Sequence, residues 1–457
     1  MTGKLTTICF CLLFAVGLNA QLKVSDNKRY LVTADNKPFF WLGDTAWELF
    51  HRLTREEADM YLKNRADKGF TVIQAVVLAE LNGLHDPNPY GETPLENDDP
   101  TKPREAYFQH VDYIINKAAE LGLYIGLLPT WGNKVFKNKW GTGPEIFQVE
   151  NASIYGKWIG NRYKNKKNII WIIGGDRNPD EKGVAIWRSM ANGIVAGVGG
   201  HDKALMTFHP QPNAVEDGGS SKYFHNDEWL DMNMFQTGHC RENDVYDRMQ
   251  VVYNRAPFKP VLDGEPIYED HPVCFNAKDL GTSSTYDVRK SAYLNVFAGA
   301  CGHTYGCHDI WQMYAPNRTP VNGPHLPWYV ALDLPGATQM KYLKSLIESR
   351  PMLDRIPDQS LIKDALGTND RIQSTRGKDY LFVYSTQGKP VVLNMGKISG
   401  KKVIAFWYNP RNEESKEAGR FDNTGQQTFN PPTSGYGHDW VLVIDDETKN
   451  YTKPKVK

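Results

Sequence analysis

The sequence has no excess charge of either sign: Lys plus Arg and Asp plus Glu each number 53, for a formal net charge of +0. Without a one-signed field, nucleic acid and anionic membrane are excluded as main partners. Cysteine is scarce, six in 457 residues, and no two stand in a CxxC pair. A chain this long builds a core without a disulfide framework. Long apolar runs are also missing. The run at residues 8–16 lies between Lys4 and Ala20 and is too short to span a bilayer. It reads as the centre of a secretory signal peptide over residues 1–20, so the mature chain is expected to be exported, periplasmic or at the cell surface, with no membrane span. Cys9 and Cys11 fall inside that segment, which leaves Cys240, Cys274, Cys301 and Cys307 with their pairing open. HExxH, an HxH at the first strand, a P-loop and GxSxG are all absent, and the GTG at residues 141–143 runs into Pro144 rather than a dinucleotide fingerprint. His303, His308 and Asp309 could hold a metal, but their spacing fits no strong pattern; neither metal nor cofactor is expected.

What is present centres on residues 169–178, IIWIIGGDRN, where an apolar run meets two glycines and then a carboxylate. A continuous apolar run suits a parallel strand covered on both faces. Gly174 and Gly175 allow a turn or a close approach, after which Asp176, Arg177 and Asn178 leave the core. The alternative is that Asp176 only caps the next helix.

Similar units recur on both sides. Strands are predicted at 39–43, 71–77, 124–128, 169–174, 205–208, 232–236, 260–263 and 302–305. Helical stripes fall between them, the first opened by a capping box of Thr54 and Glu57 and closed by Gly69. Eight strand–helix units over about 300 residues fit a (β/α)8 barrel covering residues 21–355. The loop at 80–104 is expected to shape its rim. From residue 356 the pattern changes to short alternating strands at 381–384, 391–394, 402–407 and 440–444, the mark of a small β-sandwich over 356–457. With no low-complexity linker, the two domains should pack together.

Reacting residues of such barrels sit at the C-terminal ends of the strands. Here those ends supply Asp44, Trp47, Trp131, Asp176, Arg177, His209, Gln236, His239, Asp263, Glu265, His303, Tyr305, His308, Asp309 and Trp311. Asp176 and Glu265, after strands four and seven, would face each other across the mouth. Glycosidic cleavage needs such a pair, one carboxyl protonating the leaving oxygen while the other attacks or stabilises the cationic carbon. The two must then have different environments, one keeping its proton and the other losing it. Aromatics make up 12% of the chain, and many stand beside glycines and polar residues, as in clefts that cover the apolar face of a sugar. Other readings stay open. Glu265 could simply end its strand before Pro266, Asp44 and Asp263 suit turns or caps, the tryptophans suit core packing, and each histidine alone suits a structural role.

The stretches FFWLGDTAW (39–47), GFTVIQAVV (69–77), GLLPTWGNK (126–134), IIWIIGGDRNP (169–179) and VLDGEPIYE (261–269) resemble glycoside hydrolase family 140, the apiosidases of gut Bacteroides. The resemblance covers essentially the whole mature chain, including a C-terminal β-domain named for collagen binding. It implies a retaining glycosidase that releases apiose-linked side chains from the galacturonic acid backbone of the pectin rhamnogalacturonan II. It further implies Asp176 as acid/base and Glu265 as nucleophile. Substrate contacts are expected from Asp44, Trp47, Trp131, Arg177, His209, Gln236, His239, His303, Tyr305 and Trp311, with plant cell-wall polysaccharide or oligosaccharide as partner. One departure from the wider clan of such barrels is that strand four ends in Gly-Gly-Asp where Asn-Glu is usual. The competing functions are a non-catalytic carbohydrate-binding barrel, a metal-assisted hydrolase and a cell-wall glycosidase of different sugar specificity.

Overall fold

The computed structural model describes residues 21–138, 141–242 and 244–454. The expected signal peptide lies outside them. Eight parallel strands form the barrel: β1 (Trp41–Thr45), β2 (Val72–Leu78), β3 (Tyr124–Thr130), β4 (Ile169–Gly174), β5 (Met206–His209), β6 (Asn233–Phe235), β7 (Val261–Asp263) and β8 (Gly302–Tyr305). Six of them run β5-β4-β3-β2-β1-β8, while β6 pairs with β7. Two narrow seams complete the cylinder. Met232 N donates to Met206 O and Thr207 Oγ1 to Met232 O at one, and Cys301 N donates to Val261 O at the other. All seven residues of β2 and all seven of β3 are buried, as strands covered on both faces must be.

The outer layer consists of α1 (Arg55–Asp67), α2 (Glu105–Glu120), α3 (Val149–Tyr163), α4 (Glu181–Val198), α5 (Val245–Tyr253), α6 (Thr285–Phe297) and α7 (Pro335–Glu348). The Thr54–Glu57 capping box is present at the start of α1. Between β5 and β6 there are only the short turns Val215–Asp217 and Ser221–Phe224, too short to show helical periodicity. The rim loop at 80–104 contains a small ribbon, Leu95–Glu96 with Asp99–Pro103. Flanking β4, α3 and α4 pack almost backbone to backbone. A Cβ at Gly156 would lie 2.3 Å from Met190 O, and one at Gly197 2.3 Å from Lys157 O. Only glycine permits that approach.

The C-terminal domain is an antiparallel β-sandwich. Its larger sheet is ordered β9 (Ile356–Pro357), β10 (Ile372–Arg376), β11 (Tyr380–Ser385), β16 (Trp440–Asp446), β13 (Lys402–Tyr408) and β14 (Ser415–Asp422), and β12 (Val391–Asn394) pairs with β15 (Gln426–Phe429). Both faces of the large sheet are covered. Phe382, Tyr384, Phe406 and Val443 join the barrel core, while Leu381, Val383, Trp407 and Leu442 form the sandwich's own core. At the junction Tyr293 of α6 stacks on Tyr384, ring centroids 4.8 Å apart. Asp439 accepts two hydrogen bonds from Arg289 of α6, at 2.7 and 2.6 Å, and one from the Tyr384 hydroxyl at 2.9 Å.

Replacing Asp439 by Ala strands the buried Arg289 guanidinium without its carboxylate, a change that costs about 3–5 kcal/mol. Urea denaturation of Asp439→Ala should show a loss of that size; a loss below about 1 kcal/mol would mean the pair carries no weight.

Candidate active site

Strand β4 enters the site through three consecutive residues with positive φ, Gly174 (+93°), Gly175 (+133°) and Asp176 (+47°). The glycines are required by contact as well as conformation. A Cβ on Gly174 would lie 2.6 Å from His209 O, and one on Gly175 2.7 Å from the Trp131 ring. Asp is among the few other residues that tolerate the left-handed region. The turn is held by Gly175 N donating to His209 O and Gly132 N donating to Gly175 O. Behind it, buried Arg177 donates from Nη1 to both the carbonyl and the Oδ2 of Asp176, at 2.6 and 3.1 Å.

His209, at the end of β5, links the two carboxylates. Its Nδ1 accepts from the backbone N of Asp176 at 3.3 Å, so in the neutral ring the proton sits on Nε2. Nε2 in turn lies 3.3 Å from Glu265 Oε2. The other oxygen, Oε1, lies 3.4 Å from His239 Nε2. Burial alone would raise the pKa of Glu265, but the two histidines outweigh it and hold the group below the usual carboxylate range. Asp176 goes the opposite way: burial, then the negative charges of Glu265 and Glu80, push it well above that range, against the pull of Arg177 and His209. Glu80, at the end of β2, is itself pushed up to about 7 by burial, opposed by Arg177 and Lys134. Burial lowers the Lys134 ammonium to about 8.

These groups face a cavity of about 620 Å³ at the C-terminal mouth, lined by Trp47, Trp131, Asp176, Glu265, Trp311 and others. That size suits a sugar-sized ligand. Trp47 packs against Trp131 and His209, with ring centroids 5.1 and 5.3 Å apart. Among the described residues, no group of three or more His, Cys, Asp or Glu is placed to hold a metal.

A family described as "Apiosidase-like, catalytic domain" matches residues 25–354, and one described as "Putative collagen-binding domain of a collagenase" matches 356–445. The chain belongs to the apiosidase-like family of glycoside hydrolases. Among solved structures it is similar to a glycoside hydrolase at 39% identity, TM-score 0.86, over 95% of this chain and 98% of that one. It is also similar to a glycoside hydrolase family 5 protein from Bacteroides vulgatus at 37% identity, TM-score 0.87, over 96% of each chain. A search of curated proteins gives no match.

Within this glycoside hydrolase the residues singled out in the sequence fall into two groups. Trp47, Trp131, Asp176, Gln236, His239, Glu265 and Trp311 line the cavity; His209 and Arg177 stand directly behind it. Asp44, His303 and Tyr305 do not reach it, and for these three the expected substrate contact is corrected. Side chains alternate along a strand, and these point outward. Gly43, their neighbour in β1, faces Trp41 and Thr304 inside the barrel. Asp44 instead meets Arg65 and accepts from Tyr61 at 2.6 Å, Tyr305 donates to Glu269 at 2.6 Å, and His303 is buried with its pKa lowered to about 3. Asp263 likewise turns to Thr237 and Asn295. Several lining residues were not anticipated, and four of them carry polar or aromatic side chains close to the carboxylates or at the mouth: Glu80, Tyr268, His271 and Phe275. Glu80 ends a strand, so the strand-end rule covers it; the other three follow β7 in an irregular segment without periodicity.

Because the Glu265 charge raises Asp176, Glu265→Gln removes that charge and should move the Asp176 titration to lower pH. Difference infrared titration of the protonated-carboxyl band checks it; an unmoved or raised midpoint would show that the two groups do not interact.

Proposed function

We propose that the protein is a retaining apiosidase that cleaves the linkage between apiose and galacturonic acid and so releases side chains of rhamnogalacturonan II. The observation that carries this reading is that two carboxyl groups lining one cavity have their protonation pushed in opposite directions. Asp176, kept protonated, gives its proton to the glycosidic oxygen while the Glu265 carboxylate attacks the anomeric carbon. The carbon–oxygen bond breaks, the leaving alcohol departs with the proton, and a glycosyl ester of Glu265 forms. Esterification removes the Glu265 charge, so the pKa of Asp176 falls. It then takes a proton from water, whose oxygen attacks the anomeric carbon and frees Glu265. His209 supports both halves, orienting Asp176 through its backbone and meeting the departing Glu265 carboxylate with Nε2.

Export to the periplasm or cell surface is part of the same proposal. It is supported by the Cys240–Cys274 disulfide, a bond that persists in oxidising compartments.

Asp176→Asn and Glu265→Gln should each slow release of sugar from rhamnogalacturonan II fragments by about 10³-fold or more. Product masses identify the bond cut, and proton NMR of the first product should show the anomeric configuration kept. An inverted product would refute the roles given to the two carboxyls, and near-parent rates in both variants would refute the site.

A further inference from the structure

Among the described residues that line the cavity, Phe275 is the one ring that stands largely in solvent. Its residue is 65% exposed, whereas Trp47, Trp131, Tyr268 and Trp311 are all buried. It meets His239 and His271 at interplanar angles of 78° and 86°, centroids 5.6 and 5.0 Å away, so neither histidine stacks on it. His239 is the ring that contacts Glu265. Phe275 therefore lies one ring outward from the reacting carboxylate, at the mouth.

The backbone that holds it there is strained. Cys274 and Phe275 are successive non-glycine residues in the left-handed region, at φ +50° and +60°. Such residues persist only where the surroundings over-determine them. Here Cys274 is bonded to Cys240, its N donates to His239 O at 2.9 Å, and Phe275 N donates to Pro272 O at 2.9 Å. The disulfide thus ties the segment after β7 to the segment after β6 that brings His239 to Glu265. The edge contacts with His239 and His271 leave most of this phenyl ring in water, where the apolar face of a sugar ring would cover it.

We propose that Phe275 is the platform for a second sugar unit, one beyond the unit whose bond is broken, and that the Cys240–Cys274 disulfide holds it in place. This rests on the glycosidase reading above. The platform makes the enzyme prefer an oligosaccharide over a single sugar on a small leaving group, and it couples that preference to the redox state of one bond. Cys301 and Cys307 are buried and unpaired, so the disulfide is the target of a mild reductant.

The experiment compares kcat/KM on a rhamnogalacturonan II fragment with kcat/KM on 4-nitrophenyl apioside. In Phe275→Ala the ratio should fall about tenfold, mainly through KM on the fragment. Phe275→Trp should keep it. Reducing the parent with a phosphine should reproduce the fall, and reducing Phe275→Ala should add nothing. An unchanged ratio in Phe275→Ala, or a Trp variant that behaves like Ala, overturns the platform. An unchanged ratio in the parent after both thiols are shown free by alkylation overturns the role of the disulfide. A parent that cuts neither substrate overturns the glycosidase reading itself, and the platform with it.

Discussion

Two carboxyl groups buried in one cavity cannot both ionise without a large electrostatic cost, and the site is built around that constraint. Histidines on both oxygens of Glu265 give the charge to that group. Burial and two acidic neighbours push the pKa of Asp176 the other way, above the usual carboxylate range. The opposite shifts are therefore a property of the pair, and a change at either residue reaches the other. Arg177 tempers the effect, since its guanidinium touches Asp176 and favours the ionised carboxylate.

Charge separation of this kind works only if the groups cannot drift, and the backbone supplies the rigidity. Asp176 hangs on a turn that would clash with His209 O or Trp131 if either preceding glycine had a side chain. The hydrogen bond from its N to His209 makes the imidazole part of the turn's geometry. Further out, α3 and α4 meet so closely that β4 has little room to shift. The site's precision thus comes from several short contacts, each enforced by small residues at points where a larger one would not fit.

Much of this was legible in the sequence because it depends on periodicity. The eight barrel strands follow from short apolar runs set between helical stripes, and the capping box at Thr54 from the spacing of its two residues. Asp176 and Glu265 could be singled out as carboxylates that end strands. The errors also share a cause. Asp44, His303 and Tyr305 stand at strand ends too, but on the outward parity, and β1 (WLGDT) and β8 (GHTY) carry polar residues on both parities, so their sequence does not mark the inward face. His271, Phe275 and the Cys240–Cys274 link depend on how an irregular segment folds back on its neighbour, which no local pattern encodes. Four C-terminal strands were missed: β9 is only two residues long, and β10, β14 and β15 are largely polar, with β14 exposed along much of its length.

The large sheet of the C-terminal domain, with Phe382 and Tyr384 turned to the barrel and Leu381 and Val383 turned away, has no free face left. Its hydrophobic matter is divided between two masters, so this appendage is unlike the tethered modules that can be clipped off or exchanged among enzymes. Cutting the gene between the two halves would leave each fragment with an open aromatic wound.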